Sequence, residues 1–111
     1  NKEELINYLE SEVSYTSLNE KLEIFEYLLE QGEKIQVKEL ADSLQKSVKT
    51  SMRDKMMAQR LLQLSGLTPN WSWINSVKSQ TVKGNSYWGE DRENINDNSI
   101  LTTLLVYRMM V

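Results

Sequence analysis

Asp91, Glu93 and Asp97 stand close enough in the chain to suggest a calcium loop. Such a loop presents oxygen ligands at regular positions, a Gly at the sixth place and a bidentate acid at the twelfth. Counted from Asp91, the fifth place is Ile95, the sixth Asn96 and the twelfth Thr102. The pattern therefore reads as a solvated acidic loop. Glu90 and Asp91 could act as an acid and base only across a cleft that separates their pKa values, which adjacent residues in a polar stretch rarely supply. There is no Gly-x-Ser-x-Gly elbow, no phosphate loop and no Gly-x-Gly-x-x-Gly fingerprint. With no Cys and no His, the chain can supply no disulfide, zinc–thiolate cluster, thiol nucleophile or imidazole catalyst. A protein that is not an enzyme, with no catalytic residue, metal site or cofactor, is expected.

Two further constellations bear on binding. Trp71, Trp73, Tyr87 and Trp88 could stack on bases or sugars, although aromatics at helical spacing more often fill a core. Asn70-Trp71-Ser72 matches a glycosylation acceptor, a weak pattern of three residues. The basic run from Lys46 to Arg60 could serve as the recognition helix of a DNA-binding helix-turn-helix, with Lys46, Lys49, Arg53 and Lys55 as the nucleic-acid contacts. Ile24–Leu29, Val37–Leu44, Ser47–Thr50 and Ser65-Gly66-Leu67 are similar to parts of a winged helix. Its register fails. Gln45 stands where the turn wants Gly, and Lys46 where an apolar residue should plug the core. The recognition helix is a turn too long, and a capped aromatic helix follows where a wing needs strands. This reading remains the alternative.

The elements that must position these residues read as helices. Leu5, Ile6, Leu9 and Val13 share a face of a helix over about Lys2–Val13. Ser17-Leu18-Asn19-Glu20 is a capping box. Leu18, Leu22, Phe25 and Leu29 then recur at 4-3-4 spacing, and Gly32 is the expected C′ residue. Val37, Leu40, Ala41 and Leu44 face inward on a third helix, Val37–Gln45. Thr50 or Ser51 caps a fourth that runs to Ser65 and stops at Gly66. Thr68-Pro69 is read as the start of a fifth, ending near Ser79. Residues 80–96 are polar and irregular. Asn96 or Asp97 caps a sixth helix continuing to Val111, although Ile100–Tyr107 also suits a buried strand. That helix has no charge from Ser99 to Tyr107, so it is expected to be buried on most sides.

Bulk properties fit one domain. The chain has 111 residues, 40% hydrophobic and 26% charged, with one Pro and four Gly. So few breakers favour helices over a many-turned β fold. Net charge is −3, which argues weakly against nucleic acid as a partner. Residues 1–36 carry nine acids and three bases, whereas residues 37–64 carry six bases and three acids. Solvated helix faces that attract one another, or a basic docking surface, would produce this asymmetry. No run is long enough to span a membrane, and no signal peptide is visible. The chain stops at Val111 inside an apolar helix, which predicts a fragment of something larger.

Trp88-Gly89 followed by Asp97-Asn98-Ser99-Ile100-Leu101-Thr102-Thr103-Leu104-Leu105-Val106-Tyr107 resembles the α/α-toroid domain of the alpha-2-macroglobulin family, particularly its bacterial members. There an aromatic-Gly turn and a loop precede an inner helix reading acidic-x-x-Thr-Thr-Ala-x-Ala-Leu-x-Ala-Leu. Ser51–Gly66 resembles another helix of that domain, and Leu22–Gly32 with Val37–Leu44 a hairpin of it. The resemblance covers roughly residues 18–111, on degenerate motifs. Leu104, Leu105 and Met109 replace the small residues usual on the inner helix, which implies a looser or wider ring. The thioester Cys-Gly-Glu-Gln is absent, so these residues could not trap a protease covalently.

The expected fold is therefore all-α, about six helices in antiparallel hairpins, either a single helical domain over 1–111 or part of a larger toroid. The resemblance implies a structural module of a large protein that traps or inhibits proteases in the bacterial periplasm or envelope. Its partners would be the rest of a larger chain and proteases. A helix-turn-helix module and a generic helical protein-interaction domain are the alternatives. The residues expected to carry structure are Ser17, Leu22, Phe25, Leu29, Leu61, Trp88, Leu101, Leu104 and Leu105. A homodimer through the C-terminal helix is also expected, burying Leu104 or Leu105 with Met109 and Met110.

Overall fold

A computed structural model describes residues 23, 24, 26–28, 30–48 and 50–111. Of these, 59% are helical and 5% are strand, a mainly-α fold. The expected helix over Lys2–Val13, the Ser17 capping box, Leu22, Phe25 and Leu29 lie outside the described residues. Five helices are seen among those described. They are α1 within residues 23–30, α2 at Lys34–Lys46, α3 at Met52–Leu64, α4 at Trp71–Ser76 and α5 at Asp97–Met109.

Local chemistry sets most helix ends. After α1 the chain turns through Gly32 at φ 77°, and the Glu33 N–H reaches back to the Leu28 carbonyl at 3.0 Å. Gly66, at φ 80°, closes α3 in the same way. The Leu67 N–H donates to the Leu62 carbonyl and the Gly66 N–H to that of Gln63. This six-to-one and five-to-two pair is the Schellman stop, and only Gly takes the left-handed conformation there without a Cβ penalty. Ser51 caps α3 by accepting from the Asp54 N–H at 3.1 Å.

The fifth predicted helix is shorter than expected and starts elsewhere. Its cap is Asn70, whose Oδ1 accepts from the Trp73 N–H, rather than Thr68. Asn is the stronger cap, and the Asn70 N–H is itself held by the buried Gln59 side chain at 2.7 Å. The helix ends at Ser76 because Ser79–Gln80 (β1) enters an antiparallel ribbon with Ser86–Tyr87 (β2). Ser79 pairs with Tyr87, and Gln80 with Ser86. The stretch expected to be irregular thus contains a small hairpin. Thr81 closes its turn, its carbonyl accepting from Gly84 and its hydroxyl from the Asn85 N–H.

Helix α3 is the centre of the molecule. Its Ala58 and Leu62 pack with Val37, Leu40, Ala41 and Leu44 of α2, backed by Ile24, Leu28, Leu61 and Leu67. Its Met56 belongs to a second cluster with Ile74, Trp88, Val106 and Met109, flanked by Trp71, Trp73, Val77 and Leu105. The four apolar positions expected to face inward on α2 all do so. Each fully buried large side chain contributes on the order of 1.5–3 kcal/mol.

Helix α5 is a helix and not a strand, but it ends at Met109 and is not buried on most sides. Its buried positions are Ser99, Thr102, Val106 and Met109. Leu101 and Leu104, expected to carry structure, are 49% and 53% exposed. Leu105 is half-buried against the second cluster. Asn96 and Ser99 form a reciprocal capping box that starts the helix. Contacts with the preceding segment decide which face turns inward, and the Trp88 N–H donates to Thr103 Oγ1 at 2.9 Å. Gly89 also lies directly against Ser99, where a Cβ on Gly89 would sit 2.5 Å from the Ser99 Cβ. These contacts pull the Ser99 side of the helix in and leave the leucine side out.

Candidate functional site

Two of the carboxylates that could have done chemistry, Glu90 and Asp91, are hydrogen-bonded to backbone. Glu90 Oε1 accepts from the Met52 N–H, so this carboxylate ties the loop to the first turn of α3. Asp91 Oδ1 accepts from the N–H groups of Glu93 at 2.9 Å and Asn94 at 3.0 Å. These bonds, the one from Glu93 foremost, favour the charged form and hold Asp91 below its ordinary value. The two neighbouring carboxylates accept from separate backbone donors. Among the described residues, no group of three or more acids is placed to hold a metal ion.

The aromatic residues build core rather than a stacking platform. Trp88 is fully buried and donates its Nε1–H to the Ile74 carbonyl at 2.8 Å. Its ring meets Tyr107 edge-on, centroids 6.1 Å apart. Tyr87 is buried, and Trp71 and Trp73 are half-buried against the same cluster. The Tyr107 hydroxyl donates to the Ser86 carbonyl at 3.3 Å, which fastens α5 to β2.

Of the four basic residues considered for nucleic acid, Arg53 and Lys55 are the two that lie on α3 among the described residues. Lys46 is exposed in the last turn of α2, Lys49 is outside the described residues, and Arg53 and Lys55 are half-buried in the first turn of α3. No residue of α3 from Met52 to Gln63 is exposed. A helix that reads a groove must present a bare side to it, and α3 is lined on both sides by apolar clusters.

The site that remains is the outer face of α5. Ile100, Leu101 and Leu104 are each about half exposed, with Tyr107 at 45% beside them. They lie opposite Ser99, Thr102, Val106 and Met109, which face the core. Together they bare on the order of 400 Å² of apolar surface, the size of the largest patch on an ordinary monomer, which is often a functional one. The sequence shows these residues plainly, as an uncharged run. It does not show that they face out, because the polar residues within the run, Ser99, Thr102 and Thr103, are on the side that turns inward.

Among the described residues, no helix is long and apolar enough to cross a membrane. Comparison of the chain with protein-family models, with curated proteins and with solved structures finds no match.

Proposed function

We propose that the chain is a non-catalytic, structural helical module that binds protein through the outer face of α5. The observation that carries this reading is the row of half-exposed Ile100, Leu101 and Leu104 on a helix whose opposite side is already packed. Water disfavours such a row, and a protein partner that covers it gains the burial. The resemblance of Trp88-Gly89 and Asp97–Tyr107 to the alpha-2-macroglobulin toroid supports a setting for it. In that setting the module is one part of an α/α ring in a large envelope protein that traps or inhibits proteases. The aromatic-Gly pair has a physical role that suits the resemblance, since Trp88 plugs the core and Gly89 admits the first turn of α5.

Leu104→Glu tests the reading. Urea unfolding at low micromolar concentration should show stability within about 0.5 kcal/mol of the parent, as for other exposed positions. Binding of an apolar dye should fall. A loss of about 2 kcal/mol or more would mean that Leu104 is internal to the fold, and the docking face would be lost with it.

A further inference from the structure

We infer that the outer face of α5 takes a second copy of this chain, with the two α5 helices antiparallel about a two-fold axis between Leu101 and Leu104. The inference rests on the docking face proposed above and names its occupant.

The face carries its own complement. Asp97, Leu101, Leu104 and Arg108 recur at 4-3-4 spacing, which places them along one stripe of a helix. Ile100 and Tyr107 lie beside that stripe. All six are exposed. Read from the N-terminal end, the stripe is acid, apolar, apolar, base. Turned end for end, it is base, apolar, apolar, acid. An antiparallel copy therefore sets Asp97 against Arg108 of the second copy, Leu101 against its Leu104, and the same pairs again by symmetry. A self-complementary patch of this kind is what a two-fold dimer requires. A parallel arrangement would set Asp97 against Asp97 and Arg108 against Arg108.

Antiparallel packing also suits the helix ends. The negative C-terminal end of each macrodipole then lies beside the positive N-terminal end of the other. The two apolar patches would together remove on the order of 800 Å² from water, before the polar rim is counted. This falls short of the roughly 1,200 Å² at which stable specific interfaces begin, so the charged rim must supply the rest and the dimer is a weak one, with a dissociation constant on the order of 10–100 μM.

Sedimentation equilibrium of the chain from about 5 to 500 μM should show a monomer–dimer equilibrium in that range. Asp97→Arg sets like charges together at both ends and should weaken the dimer about tenfold. Arg108→Asp should do the same. The double variant Asp97→Arg with Arg108→Asp restores opposite charges across an antiparallel seam and should recover the dimer. An equimolar mixture of the two single variants should associate more tightly than either alone. Circular dichroism of each variant checks that α5 is retained.

A chain that stays monomeric at 500 μM overturns the inference, and so does a double variant no better than the singles. The outcomes separate from the docking reading itself. A monomer in which Leu104→Glu leaves stability unchanged keeps a docking face and excludes the second copy as its occupant. A monomer that Leu104→Glu destabilises loses both.

Discussion

Gly89 shows how one missing atom sets the position of a helix. It is buried, and a Cβ built on it would sit 2.5 Å from the Ser99 Cβ and 3.3 Å from the Ser99 Cα. Neither atom is the far end of a flexible side chain, so neither can swing aside. The same short segment donates the Trp88 N–H to Thr103 and the Trp88 ring N–H to Ile74. The pair thus fixes α5 against α4 through hydrogen bonds and direct contact. Gly89→Ala should destabilise the protein by about 1–3 kcal/mol through overpacking. Urea denaturation measures it, and an unchanged midpoint would show that the Gly89–Ser99 approach is looser than described.

At the scale of elements, a single buried glutamine joins three helices. Gln59 is fully buried in α3. Its Oε1 accepts from the Asn70 N–H at the start of α4, and its Nε2 donates to Gln45 Oε1 on α2 at 3.4 Å. Gln63, one turn further, donates to the Met109 carbonyl at 2.7 Å and accepts from Arg60 at 2.6 Å. Helix α3 therefore holds its neighbours by polar bonds as well as by packing. Gln59→Met keeps the length of the side chain and removes the acceptor for Asn70. It should cost about 1–3 kcal/mol, the penalty of leaving a buried N–H unsatisfied. Amide exchange at Asn70 should quicken. A neutral substitution would mean that water replaces the side chain there.

At the scale of the whole molecule, two apolar clusters among the described residues share one helix. Ala58 and Leu62 of α3 lie in the first, and Met56 lies in the second. Neither cluster can lose α3 without exposing the other, so unfolding should be a single cooperative transition. The three Trp residues provide the test, since all belong to the second cluster. Tryptophan fluorescence therefore reports one side, while far-UV circular dichroism weighs all the helices. The two curves should coincide in urea. A fluorescence transition that precedes the loss of ellipticity would show that the α4–α5 side opens on its own.

Much of this architecture was legible along the chain, for reasons of local chemistry. The 3–4 spacing of Val37, Leu40, Ala41 and Leu44 marked the inner face of α2, because the residues between them, Lys38, Glu39, Asp42 and Ser43, are polar and fix the phase. Ser51, Gly32, Gly66 and Asn96 marked helix ends, because orphan backbone groups and left-handed turns accept few residue types. Two features were beyond local reading. The hairpin Ser79–Gln80 with Ser86–Tyr87 has only two paired residues per strand, too few for an alternating pattern to show. The rotation of α5 was decided by long-range contacts, Gly89 against Ser99 and Trp88 against Thr103. Asp97 and Arg108 mark the outer stripe only at the two ends of α5, and between them the polar residues Ser99, Thr102 and Thr103 lie on the side that turns in, so polarity along the uncharged middle points the wrong way. Close packing and a few distant hydrogen bonds settle the rotation, and here they leave Leu101 and Leu104 facing solvent.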